Sequence, residues 1–199
     1  EETDVFRLVP SSDDPLETLL QKPYPFISQV NARTIAEFAS GNARVAIALA
    51  NTLKQNDSLS TLRDEELFAR LFHQRQNPNE HLMASAEICS LVYSFDGEDI
   101  STTSELKFLA DLAEKSVREL YRDVAELKKR GLVQARSLWR AVLPHAIANR
   151  LAKRALDAIP PQMIVSAFLS SDSERLIKSF TRRLGYLHDS DTAIHYRTE

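Results

Sequence analysis

Residues 104–150 read SELKFLADLAEKSVRELYRDVAELKKRGLVQARSLWRAVLPHAIANR, and their pattern decides the fold. Thr102-Thr103-Ser104-Glu105 opens a helix over residues 106–113, and Ser116-Val117-Arg118-Glu119 opens a second that runs to Arg130. In each, a hydroxyl cap and a Glu three residues on can satisfy one another's unpaired backbone N–H groups. Gly131 stops the second helix. Residues 132–136 and 138–142 then read as short strands joined by a tight turn. A helix through Leu82, Ala86, Ile88, Leu91 and Val92 precedes them, opened at Asn77-Pro78-Asn79-Glu80 and broken at Phe95-Asp96-Gly97. Helix, helix, helix, hairpin is the order of a winged helix, predicted here over residues 78–157; Pro144 starts its last helix and Pro160-Pro161 ends it.

Working outward, residues 13–77 carry four helical patterns. Asp14-Pro15-Leu16-Glu17 opens a short one, with proline where its missing N–H costs nothing. The second covers residues 28–39 with Val30, Ile35 and Phe38 inward, and Gly41 ends it. The third, from Ala43 to about Gln55, is apolar nearly all round and belongs at the centre of its core. The fourth covers residues 64–75 and buries Leu67, Phe68 and Leu71. Residues 158–199 add two more helical stretches, 163–169 and 174–187, read as the start of a helical array. Residues 1–12 read as the end of a preceding domain, and the chain is expected to be a fragment.

Four glycines and eight prolines are few for an all-β chain, and 43% hydrophobic residues suffice for packed cores. The fold class is therefore mainly α. The lone Cys89 excludes an internal disulfide and zinc-type cysteine pairs, which fits a reducing, cytoplasmic setting. No apolar run approaches the ~20 residues of a membrane span, so no membrane partner is expected. The net charge of −3 is uneven: residues 104–154 hold twelve Lys/Arg against six Asp/Glu. That basic block calls for an explanation.

A complete nucleotide-hydrolysing site is missing, since none of Gly41, Gly97, Gly131 and Gly185 is followed by Lys. No catalytic residue and no metal site is assigned. His188, Asp189, Asp191 and His195 form the nearest metal-like cluster and read as a solvated turn. The most informative run is Gly41-Asn42-Ala43-Arg44, which opens the third helix. Asn42 can cap it, and the positive end of the helix favours a phosphate, with Arg44 adding a full charge. Alternatively Gly41 is a helix stop, Asn42 a cap and Arg44 a solvated side chain. An arginine in a first turn opposes the helix dipole, which tips the reading toward phosphate.

GNARVAIALA, residues 41–50, is similar to the sensor-2 segment in the helical lid of AAA+ proteins, where the arginine reaches the γ-phosphate of ATP. The order of lid, winged helix and helical array resembles the STAND branch of that superfamily, signal-transduction ATPases that include plant NLR receptors, the apoptosome scaffold and bacterial antiviral sensors. Residues 144–152, PHAIANRLA, are similar to the Met-His-Asp segment of NLR winged helices, whose histidine approaches the β-phosphate of ADP. His145 takes that histidine's place and Ala146 replaces the aspartate. Residues 139–152 and 173–189 resemble the bacterial antiviral members most. The resemblance implies ATP or ADP as cofactor, with Mg²⁺ held by a preceding NTPase core, a downstream helical sensor in the same chain, and a homo-oligomeric active state. Gly41, Asn42, Arg44 and His145 would then contact the nucleotide.

A winged helix also suggests DNA. Val117, Leu120, Val124 and Leu127 share one face of their helix, leaving Arg118, Arg122 and Lys129 outside. Glu119, Asp123 and Glu126 lie among these cations, and a paired cation releases few counterions from DNA. A salt-bridged face or a contact with an acidic neighbouring domain is preferred over nucleic acid. Two functions follow: the regulatory segment of an ATP-switched STAND NTPase, with anti-phage defence as one setting, or a DNA-binding winged-helix regulator.

Overall fold

Side-chain caps at Ser28, Asn42, Ser104, Ser116 and Ser173 open five of the helices described below. The computed structural model describes residues 13–39, 41–53, 59, 64–72, 80–171, 173–187 and 193. Its contacts divide the chain into two compact units, Glu1–Gln76 and Asn77–Glu199.

The first unit holds α1 (Asp13–Gln21), α2 (Gln29–Ala39), α3 (Ala43–Ala50) and α4 (Asp64–Phe72). Its interior is built from Leu16, Leu20, Ile35, Phe38, Val45, Leu49, Leu67 and Leu71, all buried. The near-apolar α3 touches α1, α2 and α4, the central position its composition demands. It ends at Ala50, earlier than its pattern suggests, because Thr52 and Leu53 turn back onto the carbonyls of Leu49 and Ala50. Buried Asn31 accepts the N–H of Leu59 at 2.8 Å, so an amide oxygen inside the unit meets the connection after α3.

The second unit contains α5 (Glu80–Ser90), β1 (Phe95–Asp96), α6 (Glu105–Leu112), α7 (Val117–Lys129), β2 (Val133–Arg136), β3 (Trp139–Val142), α8 (His145–Ala158), α9 (Pro161–Leu169) and α10 (Glu174–Gly185). The fold is mainly helical with one small antiparallel sheet, as predicted. Ser104 caps α6 through the N–H of Lys107, and Ser116 and Glu119 form the expected capping box on α7. Phe95-Asp96, read from sequence as a helix break, is in fact a third strand in the order β1-β3-β2, with Phe95 opposite Arg140 and Asp96 opposite Trp139. Two residues are too few to show an alternating pattern, so pairing with a distant strand decides.

Alternation sorts the sheet into two faces. Phe95, Val133 and Val142 point into the core and are buried. Gln134, Arg136, Trp139 and Ala141 share the opposite face, since Gln134 pairs with Ala141 and Arg136 with Trp139. Behind the sheet, α5 packs against both α7 and α8. Lys115 binds the carbonyl of His81, the hydroxyl of Ser85 at 2.6 Å and the carboxylate of Asp123 at 2.7 Å, tying the α6–α7 turn to α5. Helices α9 and α10 close onto this body through Phe108–Phe168 and Phe168–Phe180 ring contacts and through the Arg175–Glu105 ion pair. Among the described residues, no helix is long and apolar enough to cross a membrane. Residues 1–12 and the 188–195 histidine–aspartate cluster lie outside the described residues, Ala193 excepted.

Candidate functional site

The residues singled out by sequence fall in three places. At the first, Gly41 takes φ 82°, a left-handed conformation that suits glycine, and turns the chain out of α2. Asn42 then caps α3, its side chain accepting from the N–H groups of Arg44 at 3.0 Å and Val45 at 3.2 Å. The cap therefore occupies two of the donors that a phosphate would use. What remains for an anion is the Arg44 side chain, which is exposed and makes no hydrogen bond or ion pair among the described residues.

The second place surrounds His145, the first residue of α8. Pro144 occupies the cap position and gives no side-chain hydrogen bond, and the first turn carries no acid, so the positive end of α8 is uncompensated. The imidazole stacks on Tyr93 with ring centroids 4.8 Å apart, and its Nε2 lies 3.2 Å from the Tyr93 hydroxyl. Tyr186 lies parallel to it at 6.3 Å, and the Arg182 guanidinium sits over the Tyr93 ring at 3.7 Å. Partial burial, then the charges of Arg183 and Arg182, hold the histidine's pKa below its usual value, so the neutral ring is favoured at neutral pH. His145 lines a cleft of about 320 Å³ together with Tyr93, Gln134, Arg136, Trp139 and Arg140. Among the described residues, no carboxylate lines it. Arg136 is exposed and without an ion pair among the described residues, while Arg140 is held by Glu98 at 2.7 Å.

Sequence reasoning missed Tyr93, Arg136, Trp139 and Tyr186 as neighbours of His145. For the two tyrosines no signal existed, since their separation from His145 follows only from folding. For Arg136 and Trp139 the signal was the two-residue turn, which fixes the pairing and so their common face.

The third place is α7. Arg118, Arg122 and Lys129 are exposed, opposite buried Leu120, Val124 and Leu127. The acids among them are differently disposed from the expectation. Glu119 is taken up by Ser116, accepting its N–H at 2.9 Å and its hydroxyl at 2.6 Å. Asp123 turns inward to Lys115 and Ser85. Glu126 binds Arg130 at 2.9 Å and reaches Lys129 at 3.8 Å. Arg118 and Arg122 form no ion pair among the described residues.

Cys89 is buried and its thiol is pushed up to about 12, chiefly by desolvation, so it is not a nucleophile. Among the described residues, no group of His, Cys, Asp and Glu could hold a metal ion. No known family, curated protein or solved structure matches the chain.

Proposed function

We propose that the chain is the regulatory segment of an ATP-switched, STAND-type NTPase: a helical lid and a winged helix that sense the nucleotide held by a preceding core. In this reading the protein is cytoplasmic, hydrolysis and Mg²⁺ belong to that core, and the active form is a homo-oligomer. Anti-phage signalling is a setting that the sequence resemblance suggests.

The observation that carries the reading is the His145 cleft, lined by Arg136 and Arg140, with no carboxylate among its described lining residues, and open at the uncapped end of α8. A neutral imidazole there can donate one hydrogen bond to a phosphate oxygen without holding it irreversibly. Arg44 supports it from the other unit. Its charge opposes the α3 dipole and meets no partner among the described residues, so it adds nothing to the helix and suits an anion supplied from outside. A ligand shifts a two-state switch only by contacts that differ between the states. ATP engaging Arg44 in one state and ADP engaging His145 in the other would meet that condition.

The test uses the longer protein with its preceding core. Arg44→Ala is expected to weaken ATP-dependent assembly, and His145→Ala to speed ADP release by about tenfold, the loss of one hydrogen bond to a charged group. Wild-type assembly in the first variant together with wild-type ADP release in the second would remove the assignment.

A further inference from the structure

The outer face of α7 is left unexplained by a nucleotide switch. Arg118, Arg122, Ala125 and Lys129 succeed one another by four, three and four residues, the spacing that keeps side chains in one line along a helix. All four are exposed. The ridge extends about 16 Å at 1.5 Å per residue, and the short Ala125 between the cations lets a partner approach the helix closely. Cations in such a line repel one another, and compensation is sparse here: Arg118 and Arg122 have no ion pair among the described residues, and Lys129 has Glu126 at 3.8 Å. Glu119 completes the cap of α7, and the Arg122 charge is the smallest cause of its lowered pKa. Asp123 faces α5, and Glu126 spends its nearer contact on Arg130.

We infer that α7 binds a nucleic-acid duplex, with Arg118, Arg122 and Lys129 on its phosphates. The helix is presented for this: α6 and the turn at residues 113–116 brace it from behind through Lys115, and the β2–β3 hairpin follows it with Arg136 exposed. A duplex suits the ridge better than a single strand, which needs aromatic platforms along its path. Tyr121, half exposed and three residues from Arg118, offers a single ring here, where a strand needs a succession of them. The contacts are to backbone, so they set affinity and orientation without reading sequence.

The experiment is fluorescence anisotropy of the 199-residue chain with a mixed-sequence DNA duplex, followed from about 50 mM to about 200 mM salt. Three phosphate contacts predict a fall of log K with log salt of slope about −2.7. The triple variant Arg118→Ala, Arg122→Ala, Lys129→Ala should lose most of that slope and at least about tenfold in affinity at the lower salt. Its thermal midpoint should stay that of the wild type, which shows that the loss is not unfolding. His145→Ala should bind DNA as the wild type does, so a failure of the nucleotide reading leaves this result distinct. The inference is overturned by no binding at the lower salt, by a folded triple variant that binds normally, or by a single strand or an acidic polypeptide binding more tightly than the duplex.

Discussion

Arg183 is fully buried and faces no carboxylate among the described residues. Its guanidinium donates to Asn149 Oδ1 at 2.6 Å and to the Val92 carbonyl at 3.5 Å, and it lies 5.6 Å from the Tyr93 ring. Nε has no hydrogen-bond partner. Desolvation lowers its pKa to about 10, so it stays charged at neutral pH. The compensation is dipolar: a carbonyl just past the C-terminal end of α5, where the helix dipole is negative, an amide oxygen and an aromatic face. Arg183→Ala removes these bonds and leaves a cavity beside a stranded amide, a loss of about 3 kcal/mol by urea unfolding. Arg183→Met refills most of the volume and should recover about half of that, because replacing a buried charge by a fitted apolar group is mild. An alanine variant within about 0.5 kcal/mol of the wild type would show that the cation holds nothing together. The position was legible in part. Leu176, Ser179, Phe180, Arg183 and Leu184 recur at helical spacing, so the sequence places a charge on the apolar stripe of α10. What it does not contain is the receiving site, because Val92 and Asn149 reach Arg183 only through the packing of α5 and α8.

At the scale of elements, the helices were readable because their start signals are local: Asn42, Ser104, Ser116 and Ser173 each cap the next helix through side chain to backbone bonds within three residues. Strand β1 was not, because its definition lies with β3, more than forty positions away. The pairing explains Gly97. Its N–H donates to the Leu138 carbonyl at 3.0 Å, and a Cβ built there would meet Arg140 Cγ at 2.3 Å. The stem of Arg140 occupies that space on its way to Glu98 and to the Ser137 carbonyl. Gly97→Ala must displace the arginine or open the β1–β3 pair, which should cost about 1–3 kcal/mol. Arg140→Ala removes the clash at the expense of an ion pair with an exposed partner, so the double variant should be more stable than the sum of the two losses by about 1 kcal/mol. A double-mutant cycle by thermal or urea denaturation checks this; strict additivity would mean that the glycine is not there to admit the arginine.

For the whole molecule, the division after Gln76 separates two sets of buried partners. Among the described residues of the second unit, ion pairs join separate elements at Lys115 with Asp123, Glu87 with Arg154, Glu98 with Arg140 and Glu105 with Arg175. The apolar core from Leu82 to Leu187 likewise joins α5–α8 to α9 and α10, so the last two helices share the interior of the four before them. That packing was hidden in the sequence, where Pro160-Pro161 looks like a domain edge; the two prolines end α8 and start α9, Pro161 at its first position. A body of this size buries enough surface to fold alone. The fragment Asn77–Glu199, expressed by itself, should therefore show a helical far-ultraviolet spectrum and one cooperative thermal transition. It should also respond to Arg183→Ala as the full chain does, because the partners of that guanidinium travel with it. A fragment with helical signal but no cooperative transition would mean that the second unit draws its fixed packing from residues before Asn77, and the two-unit account would fail with it.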